Sequence, residues 1–288
     1  MPRLASFSYN DQPGFGIVEG NFAFDISDHL SNTALRGLAH ALTRYSIGEI
    51  ISLARSSGRR LPLDALQFRP PIVDGEKILC VGLNFKAHAE EAGLPIPSRP
   101  ALFVRFQSSL VGHGQPVMAP CNSPQFDFEG ELAVVVGRAG RHISETDAME
   151  YVLGFTIASD NSVRDWQKHT SQVTAGKNFC RSGAMGPWCV TRDEFDDACS
   201  FDIVTRLNGR IVQSGNTHDF IFSIPRIISY ISSFAELLPG DVIMLGTPPG
   251  VGVGRQPQLW LKPDDILEVD IPGIGTLRNP VERESAPG

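Results

Sequence analysis

The stretch Phe126–Gly137 reads FDFEGELAVVVG, and it sets Asp127, Glu129 and Glu131 at every second position just before the apolar run LAVVV. Alternate residues of a strand point to one face. An extended backbone here therefore gathers carboxylates on one side of a segment whose continuation belongs in a core. Carboxylates held that close raise one another's pKa. A fold that keeps this strand must bathe its acidic face in water or set a cation against it, and no other segment constrains the chain as strongly.

The bulk of the sequence narrows the choices. With 288 residues, 42% of them hydrophobic, the chain has ample material for a sizeable core. A net charge of −7 without a Lys/Arg block argues against a nucleic-acid or anionic-membrane surface. No apolar run approaches the roughly 20 residues of a membrane span. The opening MPRLASFSYNDQPG lacks the apolar centre of a signal peptide. The 5 cysteines form no CxxC pair, which fits free thiols in a reducing compartment. A soluble cytoplasmic protein is expected. Counts of 28 Gly and 21 Pro favour a turn-rich β fold over a helical bundle.

Residues 4–26 read as short strands around turns, a small antiparallel sheet. Apolar residues at helical spacing follow over Leu35–Ser57. The Pro-rich RRLPLDALQFRPPIVDGEK reads as a linker, which divides the chain into a small N-terminal α+β domain, 1–70, and a main domain, 71–288. The main domain opens with the strand KILCVGL and continues with ALFVRF, FEGELAVVVG, YVLGFTIASD, GPWCV and FDIVTRLNGRIVQ. IPRIISYISSFAEL is an amphipathic helix, and DVIMLGTP and DILEVDIPGIGTLRNPV return to β structure. The expected class is α+β, mostly β. The cluster GTPPGVGVG lacks the Lys-Ser/Thr of a P-loop.

Several residues carry candidate chemistry. Asp160 ends the strand YVLGFTIASD, and beside Glu129 and Glu131 it would complete a set of hard oxygen ligands suited to Mg²⁺ or Mn²⁺. The alternative is a solvated acidic face with Asp160 capping a turn. Asp127 reads as a ligand, as a group behind the ligands, or as an exposed residue. His88 has Glu91 three positions on, the same face of a helix. A carboxylate there fixes the imidazole tautomer and raises its basicity, as a general base requires. A surface histidine with a helical neighbour looks the same. Arg164, Gln167 and Lys177 follow Asp160 and suit an anionic substrate, or serve as ordinary loop salt bridges. Arg105 is equally open. Thr247, at a strand end among glycines, offers a hydroxyl and backbone N–H groups to a carboxylate, or forms a plain turn.

Taken in order, CVGLNFKAHAEE, FEGELAVVVG, GFTIASDNSVRDWQ, GKNF with GPW, LNGRIVQ and LLPGDVIMLGTPPGVG resemble the fumarylacetoacetate hydrolase family from about Ile72 to Val281. The resemblance implies a mixed β-sandwich roll, usually a homodimer. It implies a metal on Glu129, Glu131 and Asp160, and a water-activating dyad of His88 and Glu91. It implies that Arg164, Gln167, Lys177, Thr247 and Arg105 hold the keto-acid end of the substrate and its developing charge. Phe85 stands where many members have Tyr, and Arg105 where many have Lys. Stretches such as FVRFQSSLVGHGQP look like bacterial members that cleave acylpyruvates, the maleylpyruvate or fumarylpyruvate hydrolases.

On that resemblance the expected substrate is a 2,4-diketo acid and the expected reaction is hydrolysis of its C3–C4 bond. Pyruvate and a dicarboxylic acid (maleate or fumarate) would result, as in the breakdown of aromatic compounds. His88 takes a proton from water, and Lys177 steadies the departing enolate. The alternative enzymes are an oxaloacetate decarboxylase or an isomerase or decarboxylase of a hydroxydienoate, because all pass through a similar enol.

Overall fold

The computed structural model describes residues 2–30, 37–196 and 199–285. Its centre is the strand Gly130–Val136, buried at every position. Such burial explains why LAVVV is continuously apolar and not alternating: both faces meet a core. One face carries Leu132, Val134 and Val136, which pack with Phe155, Ile203, Val269 and Leu277. The other carries Ala133 and Val135, which pack with Leu4, Ile17, Ile50, Met185 and Met244.

Among the described residues the large sheet has 12 strands. Gly130–Val136 lies between Val152–Ser159 and Val242–Met244, both antiparallel to it. Ile78–Gly82 pairs in parallel with Val242–Met244, and Ala101–Val104 closes that edge. A second sheet of 5 strands comprises Arg210–Asn216, Asp202–Leu207, Ile266–Ile271, Gly275–Arg283 and Val117–Ala119. The mostly β, mixed-sheet architecture matches the expected fold class. No helix among the described residues is long and apolar enough to cross a membrane.

Two expectations change. The N-terminal strands do not form a sheet of their own: Arg3–Tyr9 pairs with Gly183–Thr191, with Leu4 opposite Cys189. The segment read as a linker supplies two more strands of that sheet, Arg59–Pro62 beside Phe22–Asp25 and Gln67–Phe68 beside Arg3–Tyr9. The reason is apolar area. Leu4, Phe15 and Ile17 need a partner surface, and Ala158, Met185 and Cys189 of the main sheet provide it. The helix expected over Leu35–Ser57 is two helices, Leu38–Leu42 and Ile47–Ser57; Leu35 and Arg36 lie outside the described residues. Ser46 starts the second. Its hydroxyl accepts from the Glu49 N–H at 3.3 Å while the Glu49 carboxylate accepts from the Ser46 N–H at 2.8 Å. The helix Ile224–Phe234 forms as expected, capped by Ser223 and burying Ile227, Ile228 and Ile231.

Strand register places the acidic residues. Gly130 faces Ser159 and Glu131 faces Ala158 across the antiparallel ladder. The next backbone bond, from Asp160 N–H to the Glu129 carbonyl at 2.8 Å, brings Asp160 across from Glu129. Between the two glutamates the backbone runs tight against the second sheet, because a Cβ on Gly130 would sit 2.2 Å from the Thr205 hydroxyl and 2.9 Å from Val269 Cγ1. Gly130→Ala is therefore expected to destabilise the fold by roughly 2 kcal/mol through overpacking, with a lower urea midpoint and an unchanged slope.

Candidate active site

A cleft of about 560 Å³ opens beside the end of Gly130–Val136. Glu129, Glu131 and Asp160 line it, all buried, each with an oxygen within 4.8 Å of the others. One oxygen of each is committed to the protein. Asp160 Oδ1 accepts from Arg105 Nη1 at 2.7 Å, and Glu129 Oε1 faces Arg164 Nη2 at 2.6 Å. Glu131 Oε2 accepts from the Gly246 N–H at 2.8 Å. The free oxygens of two of them converge on one point: Lys177 Nζ lies 2.5 Å from Glu129 Oε2 and 2.6 Å from Asp160 Oδ2.

These contacts leave the charges unevenly balanced. Burial pushes the Glu129 carboxyl up, but the charges of Lys177 and Arg164 outweigh it and hold the group at about 2. Burial also pushes Glu131 up, and the Asp160 and Glu129 carboxylates push it further, well above the usual range. Lys177 stays above its ordinary value because Asp160 and Glu129 overcome the burial that would lower it. A donor set of oxygens alone, with outer oxygens anchored and Glu131 short of positive charge, fits a hard divalent cation such as Mg²⁺ or Mn²⁺.

The acid–base pair lies on the same cleft. His88 and Glu91 share one side of the short helix Lys86–Glu91, with His88 Nδ1 3.1 Å from Glu91 Oε2. Glu91 Oε1 accepts from the Gly250 N–H at 3.0 Å. Burial raises the Glu91 pKa, yet the bonds from His88 and Gly250 outweigh it, and the carboxyl lies below its ordinary value. Its charge thus fixes the ring and leaves Nε2 as the free nitrogen.

Around the acids, Arg164 Nη1 donates to Gln167 Oε1 at 2.9 Å, which turns the amide NH₂ of Gln167 outward as a donor. Thr247 donates to the Gly130 carbonyl at 3.0 Å and accepts from Gln213 Nε2 at 2.8 Å, leaving one lone pair. Lys177, Gln167, Arg164 and Thr247 all line the cleft.

Arg105 does not. Its side chain is fully enclosed, and its donors are spent on Ser109 Oγ at 3.1 Å, Asp160 Oδ1, the Asn161 carbonyl at 3.1 Å and Ser182 Oγ at 3.0 Å. The expectation of substrate contact is corrected: Arg105 holds Asp160 from behind. Of the three readings of Asp127, the structure selects the second, a group behind the ligands. Phe126–Asp127 pairs separately with Ser162–Val163, so the alternation from Glu129 does not run through it. Its carboxylate is neither exposed nor free to ligate. Oδ1 accepts from the N–H groups of Phe128 at 2.8 Å and Gly252 at 2.7 Å; Oδ2 accepts from Val253 N–H at 3.0 Å and Arg164 Nε at 2.7 Å.

Two supporting residues were not read from the sequence. Asn84 donates to the Leu245 carbonyl at 2.8 Å and accepts from the Phe222 N–H at 2.9 Å, pinning the turn before the His88 helix. Gln213 accepts from the Gly130 N–H at 3.0 Å and donates to Thr247 and to the Pro248 carbonyl at 2.8 Å each. Both lie inside quoted motifs, NF and GRIVQ, but only their buried contacts distinguish them from surface amides.

The chain belongs to the fumarylacetoacetate hydrolase family: residues 77–282 match its Fumarylacetoacetate (FAA) hydrolase C-terminal domain. It is 43% identical to the human protein named oxaloacetate tautomerase FAHD2A, mitochondrial, over 77% of this chain and 71% of that one. Its structure is similar to fumarylacetoacetate hydrolase from Exiguobacterium antarcticum, with a TM-score of 0.85 and 30% identity over 99% of this chain and 100% of that one. It is also similar to maleylpyruvate hydrolase from Sphingobium, solved with manganese and pyruvate, with a TM-score of 0.80 and 25% identity over 98% and 100% of the chains.

Two measurements follow from this geometry. Mn²⁺ at about 100 times its Kd is expected to add about 2.7 kcal/mol of stability, seen as a rise in Tm of several degrees. Glu131→Gln is expected to abolish that rise. Arg105→Leu removes one of the two cations on the buried Asp160 carboxylate, leaves Oδ1 without its partner, and is expected to cost about 3 kcal/mol in urea unfolding.

Proposed function

We propose that this protein is a divalent-cation-dependent enzyme of 2-keto acids that moves a proton at the carbon beside the keto group, interconverting the keto and enol forms of oxaloacetate. The observation that carries the reading is the meeting of two kinds of group in one cleft. A carboxylate-oriented imidazole faces a carboxylate-rich, cation-binding corner, with His88 close enough for its charge to act on Glu129. The likeness to the human oxaloacetate tautomerase supports this choice of substrate.

Glu129, Glu131 and Asp160 would hold the Mg²⁺ or Mn²⁺, which when bound acts as a Lewis acid toward a 2-keto oxygen. The residues of the chain do the rest. Arg164, with the outward amide NH₂ of Gln167, positions the carboxylate end, while Thr247, whose hydroxyl proton goes to the Gly130 carbonyl, offers only an acceptor to a donor group of the substrate or a water. His88 Nε2 takes a proton from C3, the electron pair of that C–H bond becomes the C2=C3 bond, and the C2=O π pair moves onto the oxygen, giving an enolate that a solvent proton converts to the enol. Glu91 stabilises the imidazolium that results. The three Lys177 N–H donors go to Glu129 Oε2, the Asp160 carbonyl and Asp160 Oδ2; once those carboxylates hold a cation, one donor is free to turn toward the oxygen on which charge develops. In the reverse direction the same imidazolium returns the proton to C3.

A second reading, hydrolysis of an acylpyruvate, is favoured by the size of the cleft. Part of its lining is apolar, with Leu94, Leu102 and Phe103, and its 560 Å³ exceed what a four-carbon acid needs. There His88 would take the proton from water, which attacks the C4 carbonyl, and the C3–C4 bond would break to give pyruvate enolate and an acid.

Loss of the enol absorbance of oxaloacetate and release of pyruvate from oxaloacetate, maleylpyruvate and fumarylpyruvate, each with Mg²⁺, Mn²⁺ or EDTA, separate the readings. Metal-dependent enol loss without pyruvate release is the expected result. Fast pyruvate release from the acylpyruvates would establish the hydrolase, and release from oxaloacetate alone a decarboxylase. His88→Ala is expected to lower kcat by about 10²-fold or more while Mn²⁺ binding survives.

A further inference from the structure

Asp127 opened the acidic alternation in the sequence, yet it touches no substrate and cannot serve as a ligand. Four donors, from Phe128, Gly252, Val253 and Arg164, fill its two oxygens. It is fully buried, and the Arg164 side chain it holds is nearly so, open only to the cleft. That guanidinium is shared between two carboxylates: Nε goes to Asp127 Oδ2 at 2.7 Å, and Nη2 to Glu129 Oε1 at 2.6 Å. Glu129 Oε2 is left to face the corner where Lys177 and the Asp160 carboxylate meet.

We infer that Asp127 is a positioning residue: by anchoring Arg164 it limits the guanidinium to one oxygen of Glu129 and keeps the other oxygen available to a divalent cation. The inference rests on the reading of Glu129, Glu131 and Asp160 as a cation site. The physical reason is competition for Glu129. A guanidinium presents a fork that pairs with both oxygens of a carboxylate when nothing else holds it. Asp127 holds Nε, and Gln167 holds Nη1 at 2.9 Å, so the fork meets Glu129 through one nitrogen only. Without the Asp127 charge, Arg164 keeps Glu129 as its sole anionic partner and rotates onto it. A cation then loses a ligand oxygen and gains a facing positive charge. Asp127 also anchors the wall of the cleft through Gly252 and Val253, two and three residues beyond the Gly250 whose N–H holds Glu91.

Asparagine tests this, because it supplies one carbonyl and one NH₂ where the site presents four donors. Whichever way the amide turns, two donors, Arg164 Nε or Gly252 N–H among them, meet an NH₂. The experiment measures Mn²⁺ affinity by EPR for the full chain, for Asp127→Asn, for Arg164→Met and for the double variant, with circular dichroism to verify folding. Asp127→Asn is expected to weaken Mn²⁺ binding about tenfold or more. Arg164→Met and the double variant are expected to bind Mn²⁺ equally, within a factor of about two, because Asp127 acts through Arg164. A purely structural Asp127 would lower Tm without this pattern. Unchanged Mn²⁺ affinity in a folded Asp127→Asn overturns the inference, as does the same loss in the Arg164→Met background. Should Asp127→Asn fail to fold, Asp127→Ser takes its place in both backgrounds, with the same pattern expected and the same results overturning the inference. Absence of Mn²⁺ binding by the unmodified chain overturns the cation-site reading, and this inference with it.

Discussion

The site depends on a contest between buried charges. Glu129, Glu131, Asp160 and Asp127 are carboxylates removed from water, and against them stand Arg105, Arg164 and Lys177, equally buried. Isolated burial of any one would be prohibitive, and close pairing of opposite charges is what makes the cluster tolerable, with Arg164 Nη2 held to Glu129 as an ion pair at 2.6 Å without a well-directed hydrogen bond. Each cation has a distinct position. Arg105 and Arg164 hold the outer oxygens of Asp160 and Glu129, and Lys177 lies on the inner side, between their other oxygens. Glu131 has only a backbone N–H directly on it, and it is the carboxyl that burial and its neighbours push up. The cluster is thus one positive charge short of its acids, and the shortage falls where a divalent ion fits.

This arrangement follows from the sheet. The strands Gly130–Val136 and Val152–Ser159 are apolar on both faces for most of their length, so their register is fixed by core packing and not by the acids. The acids occupy the ends of those strands, where the ladder stops and the cleft begins. Gly130 lets the chain between the glutamates lie against Thr205 and Val269. The loop Val251–Gly254 then links the two halves of the site, since its backbone reaches Asp127 while Gly250 reaches Glu91.

Much of this was legible in the sequence, and the reasons differ by residue. The strands around LAVVV, the helix Ile224–Phe234 and the His88–Glu91 pair follow from local spacing, which periodicity reports directly. The convergence of Asp160 on Glu129 depends on register between strands about thirty residues apart, which spacing alone leaves open and the family resemblance supplied. The sequence points Arg105 at the substrate and leaves Asp127 open among three roles for one reason. A charged residue in a strand gives no sign of whether its partners are solvent, substrate or other buried groups, and their partners (Ser109 and Ser182 for one, Gly252 and Val253 for the other) are set by tertiary contact. The N-terminal strands were read as a separate sheet because their pairing with Gly183–Thr191 spans most of the chain.

The central claim is that one cleft combines a cation-binding carboxylate trio with an imidazole that moves a proton at the carbon beside a keto group. Deuterium exchange at C3 of oxaloacetate in D₂O, followed by NMR with Mg²⁺ present, reads that step without reference to the final products. The account expects exchange faster than the uncatalysed rate, abolished by EDTA and by His88→Ala alike. Exchange that persists without Mg²⁺, or in the His88→Ala variant, would contradict it.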